Sequence, residues 1–308
     1  MNNQTLRVED LNLESWPNLI LWAAPIMFFL VFLEWGISWY QKKDSYDAKD
    51  FFAAATIGFV NVGISAMIKL ATFGSALFFY NISPFKIPAT WWSFILCFIA
   101  IDFARYWAHR VAHEQRFWWA THITHHNSSK YNLSVSFRLG WTQHIKIIFF
   151  FPVMFMGFDP FVFFICHQIV LYQFWIHTEY IKKLHPVIEF IFTTPSHHRV
   201  HHASDEHYLD KNYGSTFIIW DRMFGTFMPE GERPNYGITK PVTSYNPIYL
   251  VFHEWRDIFS DLRKAQSFKE AWRILFDKPG AEVIANREKK LVPVEKEIDK
   301  KEELVEAS

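Results

Sequence analysis

The sequence predicts an all-α fold: a multi-pass helical membrane protein with a histidine-rich domain gathered on one side of the bilayer. Three observations predict it. Apolar runs of crossing length fill the first third of the chain, a Gly/Pro break splits a further apolar stretch into two limbs, and eight of the 15 histidines fall into three short patterns that follow those runs. Composition agrees, since hydrophobic residues make up 50% of the chain and aromatics 19%, with 33 Phe and 14 Trp, more apolar bulk than a water-facing surface carries. Lys+Arg 31 balances Asp+Glu 31, which removes any electrostatic reason to expect nucleic acid as a partner. Cys97 and Cys166 both lie within apolar runs, so neither a disulfide framework nor a cysteine zinc site is expected, only packed thiols.

Taken in order, residues 1–18 are polar and mildly acidic. They lack the basic start and small-residue cleavage site of a secretory signal, so the apolar segment that follows is expected to stay in the mature protein. Residues 19–40 are long enough to cross, because about 20 residues at ~1.5 Å rise cover a ~30 Å hydrocarbon core. Residues 52–80 and 87–107 are two more spans, interrupted by Asn61, Lys69 and Asp102, which must face protein or water. Residues 145–176 read as a helical hairpin, turned by Gly157-Phe158-Asp159-Pro160 and either re-entrant or fully crossing. Three crossings and a returning hairpin put 109–143 and everything after 177 on one side. That side holds Lys42, Lys43, Arg110, Arg116, Lys130, Arg138, Lys182, Lys183 and Arg199, so the positive-inside bias makes it cytoplasmic, in a bacterial inner membrane or the endoplasmic reticulum. Residues 246–280 have the spacing of an amphipathic helix, packed on the domain or lying at the membrane surface. Residues 281–308 form a Lys/Glu-rich tail expected to be disordered and without a catalytic role.

The histidines carry the chemistry. His109-x3-His113, His122-x2-His125-His126 and His198-x2-His201-His202 repeat helical spacings, and two independent HxxHH patterns have a chance expectation of roughly a thousandth at this histidine frequency. Residues three and four apart share a helix face, so each pattern aims two or three imidazoles at one point. Crowded neutral rings would strand ring nitrogens and protonated ones would repel, and a metal removes both problems. Eight ligands exceed one four-coordinate site, which points to two metals with open positions; imidazole suits iron, copper or zinc alike. Asp102, Tyr106, His109 and His113 form one stripe running out of the third span, so Asp102 is expected to orient a ligand imidazole, to bond Tyr106, or to make an interhelical hydrogen bond. His177 follows the returning limb and is expected as a ninth ligand. Glu179 and His197 are candidates to ligate or to support a ligand, although His197 points about 100° away from His198 on a helix. His144, His167, His185, His207 and His253 are read as ordinary half-buried histidines.

The runs DFARYWAHRVAHE, WWATHITHHNSSKYNLSVSFR, FWIHTEYI and TTPSHHRVHHASDEHYLDKNYGSTFIIWDRMFGTF resemble the fatty acid hydroxylase/sterol desaturase superfamily, over about residues 20–245. Within it, HHNSSKYNLS and TPSHHRVHH followed by DKNYGSTFIIWDRMFGTF are most similar to the alkylglycerol monooxygenase branch. The resemblance implies two Fe held by His109, His113, His122, His125, His126, His198, His201 and His202, and a reaction that consumes O2 and two electrons on a lipid drawn from the bilayer. It implies that Asn212, Tyr213, Gly214, Asp221 and Arg222 brace the third cluster. It also implies an external reductant, tetrahydrobiopterin or a separate electron-transfer protein, because His185-Pro186 is followed by Val187-Ile188 rather than the glycine pair of a fused cytochrome donor. Desaturation or sterol methyl oxidation are rival outcomes within that superfamily. A histidine-rich metal transporter is the rival of another class, but it would set its ligands near the bilayer midplane on broken helices.

Overall fold

A computed structural model of the protein describes residues 5–11, 16–17 and 19–281, so the expected disordered tail lies outside the described residues apart from Ala281. Among the described residues the fold is helical, with only isolated bridges in place of strands. Helix α1 (Leu19–Tyr40) is apolar on every face, which leaves Trp22, Phe29 and Phe32 exposed. Helix α2 (Ala48–Ile82) starts on Asp47, whose side chain accepts the Asp50 N–H. These two helices are long and apolar enough to cross a membrane, with mean hydropathies of 2.0 and 1.9, and only 11% and 28% of their most apolar stretches are buried by the protein. The third expected span forms helix α3 (Trp91–Glu114), whose N-terminal turn is closed by the Ser93 hydroxyl accepting the Thr90 N–H. It is less apolar than α1 and α2, because the buried Asp102 and Arg105 sit in it. The helix continues without a break through His109 and His113.

Two four-residue helices follow, α4 (Arg116–Trp119) and α5 (Ile123–His126), and the second cluster lies on α5 and its N-cap, His122. The hairpin is present but its limbs are not regular α-helices. A 3-10 segment (Gln143–Phe150) leads into α6 (Phe151–Phe155), and α7 (Pro160–Gln168) relaxes into a second 3-10 segment (Ile169–Phe174). Pro152 and Pro160 supply no N–H and divide the stretch, as expected of proline at the first turn of each piece. The tip is stapled to the α2–α3 connection: the Ile87 N–H donates to the Gly157 carbonyl at 2.8 Å and the Asp159 N–H to the Ile87 carbonyl at 3.0 Å. Gly157 has φ +81, and a Cβ there would lie 2.1 Å from the Phe85 carbonyl oxygen, so glycine is required. The core sits between α3 and the hairpin, where Cys97 and Cys166 are buried thiols beside Ile101, Met154, Val162 and Phe163.

Beyond the hairpin come α8 (Pro186–Ile191), α9 (Pro195–His201) and α10 (Ile219–Phe224). The expected amphipathic segment resolves into two helices, α11 (Pro247–Lys264) and α12 (Phe268–Phe276), broken at Ser267, which caps the second. Helix α11 buries Leu250, Val251 and Ile258, and Arg116 clamps it through Glu254 at 2.7 Å and Asp261 at 2.6 Å. Its other face leaves Ile248 and Phe259 exposed.

Candidate metal centre

The nine histidines of the predicted site meet in two adjoining groups. One holds His109, His113, His122, His126 and His201; the other holds His125, His177, His198 and His202, and in each the candidate ligand atoms lie within 4.8 Å of one another. Both HxxHH patterns are split crosswise. The i,i+4 pair His122/His126 enters the first group and its third member His125 the second, whereas His198/His202 enters the second and His201 the first. Each short helix thus serves both groups, which holds them side by side: the His126 and His202 rings stack at 4.3 Å and the His198 and His201 rings at 5.1 Å.

The second group closes a ring of nitrogens. His125 Nε2 lies 3.1 Å from His177 Nε2, His177 2.9 Å from His198, His198 3.1 Å from His202, and His202 3.1 Å from His125. In the first group His122 Nε2 stands 2.8 Å from His109 Nε2 and 3.2 Å from His126 Nε2. Backbone carbonyls settle which nitrogen keeps the proton on three rings. His109 Nδ1–H donates to the Tyr213 carbonyl at 2.8 Å, His177 Nδ1–H to Gln173 at 2.6 Å and His201 Nδ1–H to Lys211 at 3.0 Å. Their Nε2 atoms therefore offer lone pairs to the centre, and His113 Nε2 and His201 Nε2 are buried with no partner. Burial, reinforced for most of the rings by repulsion between neighbouring imidazoles, holds all nine below the usual histidine range, with His177 and His201 at about 4. Neutral rings, bare nitrogens turned inward and spacings near the ~3 Å expected between neighbouring ligands on an ion at ~2.1 Å fit a metal in each group.

Residues 94–226, which contain every one of these ligand candidates, match the family model described as fatty acid hydroxylase. The chain carries a fatty acid hydroxylase domain. It is also 36% identical over 276 residues to the alkylglycerol monooxygenases of Xenopus tropicalis and Homo sapiens, covering 87% of this chain and 61% of each relative. An ornithine lipid hydroxylase of Rhizobium tropici is 27% identical over 249 residues, covering 74% of this chain and 72% of the relative. The chain thus spans about three fifths of the length of the monooxygenases that it resembles. No solved structure matches it significantly.

Around the histidines of this hydroxylase domain, the other predicted residues divide. Asp102 bonds neither an imidazole nor Tyr106. Its carboxylate accepts the N–H groups of Thr216 at 2.9 Å and Phe217 at 3.1 Å and the Trp220 indole at 2.9 Å, anchoring the loop before α10 to α3. Tyr106 bonds Thr226 instead, at 2.9 Å. Glu179 is drawn away from the histidines by Arg233 at 2.9 Å and the Tyr236 hydroxyl at 2.7 Å. His197 faces Glu189 at 3.0 Å on the far side of α9. Asp221 accepts the N–H groups of Tyr213 at 2.8 Å and Gly214 at 2.7 Å, so the Tyr213 carbonyl is aimed at His109 by a carboxylate behind it. Asn212, at φ 57, brackets Met228 and the His197 carbonyl, and Arg222 donates to the carbonyls of Phe190 and Glu189.

Three supports have no signature in the sequence. Buried Arg138 pairs with Asp50 at 2.7 Å and reaches Asn127 and the Thr124 carbonyl, locking α5 to the start of α2. Glu34 of α1 accepts the Leu133 N–H at 2.8 Å, the Tyr46 hydroxyl at 2.6 Å and the Thr178 hydroxyl, fastening the residue next to His177. Arg199 pairs with Glu230 at 2.5 Å and donates to the carbonyls of Thr178 and Ile181, tying α9 to the same loop.

Proposed function

We propose that the chain is a membrane-embedded, non-haem di-iron oxygenase that hydroxylates an aliphatic C–H of a lipid. The balanced reaction takes R–H, O2, two electrons and two protons to R–OH and water. The observation that supports this reading most directly is the pair of adjoining imidazole groups, each with its candidate ligand atoms within 4.8 Å of one another, in a domain whose relatives are named for lipid oxygenation. Iron bound there would supply the redox chemistry that activates O2, which side chains alone cannot do. His109, His113, His122, His126 and His201 would hold one ion, and His125, His177, His198 and His202 the other.

The chain's own part is orientation and exclusion. Tyr213, Lys211 and Gln173 carbonyls keep three Nδ1 protons in place and hold their rings in one tautomer. Ion pairs at Asp50/Arg138 and Arg199/Glu230 fix the helices that carry the rings, and burial of seven of the nine rings, with His109 and His122 half-buried, limits the access of bulk water. Helices α1 and α2 would cross the bilayer, with α3 and the hairpin completing the membrane layer and the histidines beneath it on the cytoplasmic side. The hydroxylase domain would then span residues 19–245, with 246–280 lying against it. Ether lipids of the alkylglycerol type are the first substrates to test, with fatty acyl and sterol chains next; the electrons would come from tetrahydrobiopterin or a separate electron-transfer protein.

The deciding experiment compares cellular lipids by mass spectrometry with the wild-type chain and with His125→Ala. A lipid that gains one oxygen only with intact His125 is expected. If no lipid gains oxygen in a His125-dependent way, the oxygenase reading falls.

A further inference from the structure

A cleft of about 540 Å³ is lined by Tyr131, which packs against two rings of the second histidine group. Its walls carry Lys43, Lys130, Lys182 and Arg233 against the carboxylates Asp44 and Glu179. Lys130 is matched to Asp44 at 2.5 Å and Arg233 to Glu179 at 2.9 Å, so the surplus positive charge comes from Lys43 and Lys182. The floor is Tyr131, only 2% exposed, whose hydroxyl donates to the Ile176 carbonyl at 2.9 Å. The Tyr131 ring stacks on Tyr236 at 4.7 Å on its outer side, and on its inner side lies 5.3 Å from His202 and 5.9 Å from His177. Tyr236 is itself fixed by Glu179 and by a backbone bridge to Ala203, the residue after His202.

Resting on the di-iron reading above, we propose that this cleft receives an anionic one-electron donor and that the Tyr236–Tyr131 pair conducts its electrons to the second histidine group. A lipid substrate does not suit the cleft. Its walls are mostly polar, and a reacting carbon must come within ~3–3.5 Å of the centre, whereas the Tyr131 ring fills that space. Electrons need no such opening. Two donor molecules, or one donor in two steps, each give up one electron, and each ferric ion accepts one to become ferrous. The rings bridge without being oxidised, because the Tyr131 proton is held on a carbonyl that cannot accept it. Glu179, expected from the sequence beside the metals, takes its place here as the residue that seats Tyr236.

The test uses purified full chain, with iron content measured first and the reduction of the ferric centre then followed by stopped-flow absorbance. Dithionite serves as the anionic donor and reduced methyl viologen as the cationic one. For wild type, dithionite reduction is expected to slow as salt is raised, and viologen reduction is not. Lys43→Glu with Lys182→Glu should invert that preference by roughly tenfold or more, the scale of electrostatic steering. Tyr131→Leu and Tyr236→Leu should slow both donors by an order of magnitude at unchanged iron content, while Tyr131→Phe, which keeps the ring, should stay near the wild-type rate. Tyr236, at the outer side, tests the route even where Tyr131→Leu does not fold. Unchanged reduction rates in an iron-loaded Tyr236→Leu variant overturn the proposal, whereas pure protein without iron would overturn the oxygenase reading on which it stands.

Discussion

His109 illustrates how much of this site depends on atoms that carry no side-chain identity. Its position one turn before His113 is visible in the sequence, but the proton on its Nδ1 is held by the Tyr213 carbonyl, and that carbonyl is aimed by the Asp221 carboxylate through two N–H groups. Gly214 lies within this arrangement. A Cβ there would stand 2.6 Å from the Phe217 carbonyl oxygen and 2.7 Å from Thr193 Oγ1, so Gly214→Ala is expected to cost about 1–3 kcal/mol and to lower bound iron, checked by thermal unfolding and by metal analysis of the same preparation. The histidines also set a pH dependence. His201 titrates at about 4 in the folded protein against an ordinary ~6.5, so between those values the unfolded chain binds the extra proton. The metal-free protein should therefore keep its full stability above pH ~6.5 and lose it as pH falls toward ~4, measured as Tm across that range. Spacing along one helix made the ligand candidates legible; the carbonyls of Gln173, Lys211 and Tyr213 were not, since any residue supplies one.

At the scale of elements, the decisive contacts join short helices to long ones. Arg138 and Asp50 hold α5 against the start of α2, both nearly buried. Arg138→Met leaves the Asp50 charge without its partner and is expected to cost about 3–5 kcal/mol, whereas replacing both with apolar residues should recover much of that, a contrast that thermal unfolding in detergent would resolve. Helix α3 was readable as an apolar helical run, and its continuation through His113 follows from the unbroken helical stripe. The hairpin was readable as a turn at Gly157, but not as limbs half made of 3-10 helix, because the apolar run looks alike at three or four residues per turn. The amphipathic stretch carried its own break at Ser267, a capping residue that a purely periodic reading passes over.

For the whole molecule, the exposed apolar faces of α1 and α2 leave Trp22, Phe29, Phe59 and Met67 without protein cover. In water that would be a severe aggregation liability, and a bilayer removes it. The chain is therefore expected to stay with membranes after alkaline carbonate washing. A thiol label on Lys182→Cys should react only from the cytoplasmic side and one on Lys86→Cys only from the opposite side; the reverse pattern would refute the orientation. The bond between the hairpin tip and the α2–α3 connection also orders events during synthesis. Ile87 emerges from the ribosome well before Gly157, and His177, His198 and His202 emerge later still. Both partners of this clip are therefore made before His198 and His202, so the second histidine group is the last part of the site that synthesis completes.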